Sequence, residues 1–204
     1  MCDITDGKEW IMHNSIFYLL MLLISTPALA AESWVEAPAM TLTVKATAVT
    51  SMCDIRVAEG YVTLPGADIR LFESGGSYYS LGPDDYGSDD NLYTPFDITL
   101  SGCGSESAAI QRTMRLTFSD STGVAPLLPG VFVDQPSAGI GIVIFDINNS
   151  AYIRNVLLNN ISFLGVMTDD EQTFHYAARY QYIAGGTQEA RPISAAVIVS
   201  AAYE

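Results

Sequence analysis

The chain has 204 residues, 49% of them hydrophobic and only 16% charged, with 23 Asp and Glu against 9 Lys and Arg. The net charge of −14 argues against nucleic-acid partners, whose phosphates demand clustered Lys and Arg. The high apolar share excludes disorder for most of the length and suffices for the core of one domain.

In chain order, residues 16–24 (IFYLLMLLI) come first as an unbroken apolar run. The run is too short to span a hydrocarbon core, which takes about 20 residues. Pro27 and the small residues Ala28-Leu29-Ala30 follow, as a signal peptidase site requires. Residues 1–30 therefore read as a secretory signal peptide. A signal normally begins basic, yet Asp3, Asp6 and Glu9 here face a single Lys8. The simplest account is a translation start at Met12 that leaves 1–11 upstream; a true acidic extension is the other. Removing the leader leaves Cys53 and Cys103, and in an oxidising compartment such a pair reads as a structural disulfide. Closing that loop would restrain the unfolded chain by about 4 kcal/mol.

The remaining sequence alternates as strands do. Residues 40–49 place Met40, Leu42, Val44, Ala46 and Ala48 on one face and Thr41, Thr43, Lys45 and Thr47 on the other. Residues 53–57 make a second strand. The stretch 74–94 is rich in Gly, Tyr and Asp and is the longest expected loop. Its Asp84, Asp85, Asp89 and Asp90 lack the spacing and closing Glu of a calcium loop, so a solvated acidic loop is the better reading. Strands follow at 96–100, 113–118 and 140–144, the last with three Ile on one face beside Gly139 and Gly141. Only 153–164 offers a helical pattern, weakened by Asn155, Asn159 and Asn160. Residues 174–182 group Phe174, Tyr176, Ala178, Tyr180 and Tyr182, with His175, Arg179 and Gln181 facing away. Gly185-Gly186 marks a turn before the alternating 193–203. Seven such strands in one domain predict a β-sandwich.

Catalysis finds little to use. His175 is the only histidine after the leader, and no motif supplies it with a nucleophile and an orienting carboxylate. No G-x-S-x-G, H-E-x-x-H or C-x-x-C is present. The expectation is a protein without catalytic residues, metal or cofactor.

Four elements taken together resemble the subunits of chaperone–usher fimbriae, the type 1 pilin family, across nearly all of 31–204. They are Cys53 placed after an alternating strand, Phe96-Asp97-Ile98-Thr99-Leu100 with Cys103, Ala138-Gly139-Ile140-Gly141-Ile142 through Phe145-Asp146, and Phe174 to Tyr180 followed by Gly185-Gly186 and a strand ending at Tyr203. The resemblance implies an all-β, incomplete immunoglobulin-like sandwich, completed by a donor strand from another subunit. It divides the chain into the leader 1–30, a donor extension 31–49 running into the first strand, and a pilin domain 50–204. The donor residues would be Met40, Leu42, Val44, Ala46 and Ala48, with Ala46 standing where pilins usually carry glycine. Val197, Val199, Ala201, Tyr203 and Glu204 would form the groove that a periplasmic chaperone covers. The implied partners are neighbouring subunits, that chaperone and an outer-membrane usher, and the implied location is the cell-surface fimbria. Two variants of this function are a minor tip subunit that binds a host receptor, for which the loop Tyr78 to Tyr93 is the candidate surface, and a fibre-terminating subunit. An isolated subunit is expected to expose an apolar sheet edge.

Overall fold

A computed structural model describes residues 40–48, 54–58, 60–103, 110–159, 161–167 and 171–203, all within one compact unit, Val35–Glu204. The leader with Met12, the half-cystine candidate Cys53 and the terminal Glu204 lie outside the described residues.

Ten strands are described: β1 Met40–Ala48, β2 Asp54–Val57, β3 Tyr61–Leu64, β4 Thr94–Ser101, β5 Ile110–Asp120, β6 Ile140–Asp146, β7 Arg154–Asn155, β8 Ile161–Met167, β9 Gln172–Tyr182 and β10 Ser194–Tyr203. They form two five-stranded sheets, in the orders β3-β1-β10-β5-β8 and β2-β4-β9-β6-β7. The main core lies between them. Ile98, Leu100, Ile142, Ile144, Tyr176 and Tyr180 from the second sheet meet Leu42, Leu64, Leu116, Phe118, Val197 and Val199 from the first. Period-2 alternation carries this arrangement, because successive side chains on a strand leave opposite faces.

The second sheet is buried on its outer face too. Tyr93, Val131, Val133, Val143, Phe145 and Ala177 form a separate apolar cluster there, supplied largely by loops. Both faces of β6 are therefore buried along its whole length. Gly141 makes this possible: a Cβ at that position would stand 2.4 Å from Val131 Cγ1 and 2.7 Å from the Phe132 carbonyl oxygen. That close approach is what lets Phe132 bridge to Ile142.

The weak helical pattern of 153–164 does not become a helix: the segment holds β7, a turn and the start of β8. The short β3, which ends just before Pro65, was not anticipated. In the 74–94 stretch Asp84, Asp85, Asp89 and Asp90 are all exposed, as a solvated acidic loop requires, while Tyr78 and Tyr93 are buried and Tyr86 stacks on Tyr93 at 4.1 Å between ring centres. Its acidic side chains bind its own backbone: Asp85 accepts from Gly82 N–H at 2.9 Å, and Asp89 accepts from Asn91 N–H at 3.1 Å. Among the described residues, no group of three or more His, Cys, Asp or Glu is arranged to hold a metal ion.

Candidate functional site

The segment 40–48 enters the first sheet between β3 and β10. Against β10 it runs parallel, with Leu42 opposite Ala195, Val44 opposite Val197, Ala46 opposite Val199 and Ala48 opposite Ala201. Against β3 it runs antiparallel, with Met40 opposite Leu64 and Leu42 opposite Val62. Leu42 and Val44 are 0% and 2% exposed and belong to the main core. Ala46 and Ala48 are placed by register alone. The slot they enter is walled by Val62 and Leu64 of β3 and by Ala195, Val197, Val199 and Ala201 of β10, all buried. Removing β1 would leave β3 and β10 separated by a gap one strand wide, since neighbouring strands lie about 4.8 Å apart.

Of the expected groove residues, Val197, Val199 and Ala201 line this slot. Tyr203 is placed by register opposite Met114 of β5, and Glu204 lies outside the described residues. Ala195, on the same alternating face of 193–203, continues the lining, and Val62 and Leu64 complete it and were missed. The four-residue β3 gives too little alternation to be read.

The entry to β10 is fixed by a buttress. Arg191 donates two hydrogen bonds to the Asp134 carboxylate, Nη1 at 2.6 Å and Nη2 at 2.8 Å. The Arg191 guanidinium and the Ser194 N–H hold the Asp134 carboxyl below the usual carboxylate range. Ser194 is the first residue of β10, so this contact positions the slot wall.

Arg179 forms a second anchor, on the outer face of the second sheet. It is fully buried and donates to Gly82 O at 2.7 Å, Asp85 O at 3.0 Å, Tyr180 O at 2.7 Å and Gln181 Oε1 at 2.8 Å. Its guanidinium also lies 5.3 Å from the Phe145 ring centre. Burial pushes its pKa below the ordinary arginine value, and the side chain stays a cation because a guanidinium does not deprotonate in proteins. Asn155, also fully buried, donates to Pro83 O and Gly130 O, each at 2.8 Å. Together these two side chains tie the 82–93 loop and the 130–133 segment to the sheet. Arg179 and Gln181 face away from the main core, as their alternation indicates, but beneath loops and not into water.

His175 lies on the polar edge of β9, with Nδ1 2.7 Å from Asp97 Oδ1 of β4, both side chains more than half exposed. The two are register partners. This is a cross-strand surface pair, of the kind that contributes about 0–1 kcal/mol.

No family model and no curated protein matches the sequence. Among solved structures, the chain is similar to the P pilus rod subunit PapA at a TM-score of 0.52 and 16% identity, over 76% of this chain and all of that one. A type I fimbria protein and antigen of Burkholderia pseudomallei matches over 81% of this chain and 94% of its own, at 15% identity and a TM-score of 0.33. A chaperone–usher pilus structure described for rod uncoiling matches at 19% identity over 61% and 85%, with a TM-score of 0.35. Only the first of these likenesses is strong enough to argue from. It establishes the pilin-type immunoglobulin-like sandwich as the fold.

Proposed function

We propose that this chain, which has the fold of a pilus rod subunit, is a structural subunit of a bacterial surface fimbria that lends β1 to a neighbouring copy. One observation carries the reading: β1 is the first strand described in the chain, and it fills a slot bounded by strands on both sides. A strand seated that way can leave and be replaced by an equivalent strand without rearranging the other nine. Recognition would follow sheet physics, with backbone hydrogen bonds on two edges and alternate side chains, Leu42 and Val44 first, seated in the core. Burying those two contributes about 1.5–3 kcal/mol each.

Export through the periplasm with chaperone and usher as partners belongs to the same reading, as does a Cys53–Cys103 bridge. Cys103 is a disulfide cysteine. The reading is supported by the pairing of β2 with β4, in which Asp54, the residue after Cys53 in sequence, is the register partner of Ser101. No enzymatic role is proposed, since the exposed His175–Asp97 pair has no nucleophile assigned to it. The receptor-binding variant draws little support from its candidate loop, whose Tyr78, Tyr86 and Tyr93 are engaged in packing.

Immunogold microscopy of cells expressing the chain with a chaperone–usher pair tests the proposal. Labelled surface fibres are expected for the wild-type chain, and none for Leu42→Asp/Val44→Asp despite continued export. Wild-type chain found only as free periplasmic monomer would refute it.

A further inference from the structure

We infer that β8 is a pairing edge for a second copy of this chain, joining the first sheets of two molecules antiparallel about a two-fold axis at Leu164. Each sheet ends in two outer strands, and three of these four are blunted in the ways that keep sheets apart. β3 has four residues and stops before Pro65. β2 has four, Asp54 and Arg56 among them, and β7 has two, one of them Arg154. β8 lacks every such device. It runs seven residues, Ile161–Met167, with neither a charge nor a proline, and among the described residues β5 is its one strand neighbour. An uncharged edge of that length offers a row of backbone N–H and C=O groups to another strand.

The strand fits its own reverse. Turned about Leu164, it sets Ile161 opposite Met167, Ser162 opposite Val166 and Phe163 opposite Gly165. Ile161 and Phe163 are register partners of the buried Leu116 and Met114, so the odd-numbered residues share the core side of the sheet. In this register odd meets odd, and the two first sheets continue as one; a slip of one residue would set the core side of one strand against the outer side of the other. The Phe163–Gly165 pair occurs twice by symmetry, an aromatic ring beside a residue without a side chain, as strand pairs that shelter a glycine have it. Charge selects the direction. Asp169, Asp170 and Glu171 follow β8 in the sequence. Parallel strands would bring the two acidic triplets side by side. Antiparallel strands separate them by at least the length of β8, roughly 20 Å at about 3.3 Å per residue, well past the screening length of about 8 Å. In a fibre the same contact would tie neighbouring fibres side by side; that consequence rests on the fibre reading above, whereas the pairing itself does not.

Leu164→Cys in a Cys2→Ser background supplies the test. On the axis this residue meets its own copy, and paired strands bring Cα atoms to about 5 Å, within disulfide reach. Ser162→Cys is the control, because the two copies of Ser162 stand four residues out of register, roughly 13 Å along the strands. Ser162→Cys/Val166→Cys restores the match with both residues opposite each other, and carries the test if Leu164→Cys fails to fold. The purified full chain is oxidised at tens of micromolar and run on a non-reducing gel. Edge pairing predicts a covalent dimer at least tenfold faster for Leu164→Cys and for the double variant than for Ser162→Cys. Equal rates at all three, or no dimer from either matched variant, would overturn it. On cells, fibres that form as usual while both matched variants stay unlinked would overturn the pairing and leave strand donation standing. A linked dimer from cells that bear no fibres would support the pairing and count against the fibre reading.

Discussion

Arg179 is a charge without a carboxylate partner in its hydrogen-bond shell, held by three backbone carbonyls and a glutamine oxygen. Replacing it by Ala would strand those acceptors and open a void under Phe145, at a cost of about 3 kcal/mol in urea unfolding. Limited proteolysis should then cut first within 82–93, the segment it holds. Lys cannot reproduce the fork, so Arg179→Lys should recover less than half of the loss. Asp134 carries the clearest acid dependence. Its folded pKa lies below the ordinary value of 3.8, so its contribution is complete above that value and disappears as pH falls through the depressed one. The stability gap between wild type and Asp134→Asn should be constant from pH 7 to about 5 and close by pH 2, as read by denaturant midpoints. Neither side chain announced its role in the sequence. Arg179 reads as the solvent face of an alternating strand, and local alternation carries no sign of the loops that cover it.

β1 is where sequence and structure agree on the segment and part on its arrangement. The alternation of 40–49 specifies a strand with Leu42 and Val44 inward, and both are inward. Which neighbour it pairs with, and in which direction, depends on contacts with residues some 150 positions away, which no local pattern encodes. Leu42→Ala in the isolated chain should cost about 2–5 kcal/mol, the range for emptying a packed core site. A cost under 0.5 kcal/mol would mean that β1 does not occupy the slot in solution. β8 was hidden for a different reason. Asn159 and Asn160 precede it and Ser162 and Gly165 interrupt its apolar run, so neither period emerges clearly, and pairing with β5 makes it a strand.

At the scale of the molecule, the two-layer sandwich follows from the number and spacing of alternating segments. The added apolar layer outside the second sheet does not, because residues 124–138 have no period to read. That layer makes the halves unequal: β6 and residues 176–181 of β9 are clamped on both faces, whereas the first sheet keeps half-buried Ala196, Ile198 and Ser200 on its outer side. Hydrogen exchange should accordingly be slowest in β6 and β9 and faster in β1 and β3. The parallel run of β1 beside β10 has a mechanical consequence. Tension entering just ahead of Met40 and leaving just beyond Tyr203 acts on opposite ends of the paired strands. The ladder is then loaded in shear, with its bonds sharing the force and not opening one after another from an end. A molecule strung by these two points would resist stretching most strongly at the strand it is best suited to give away.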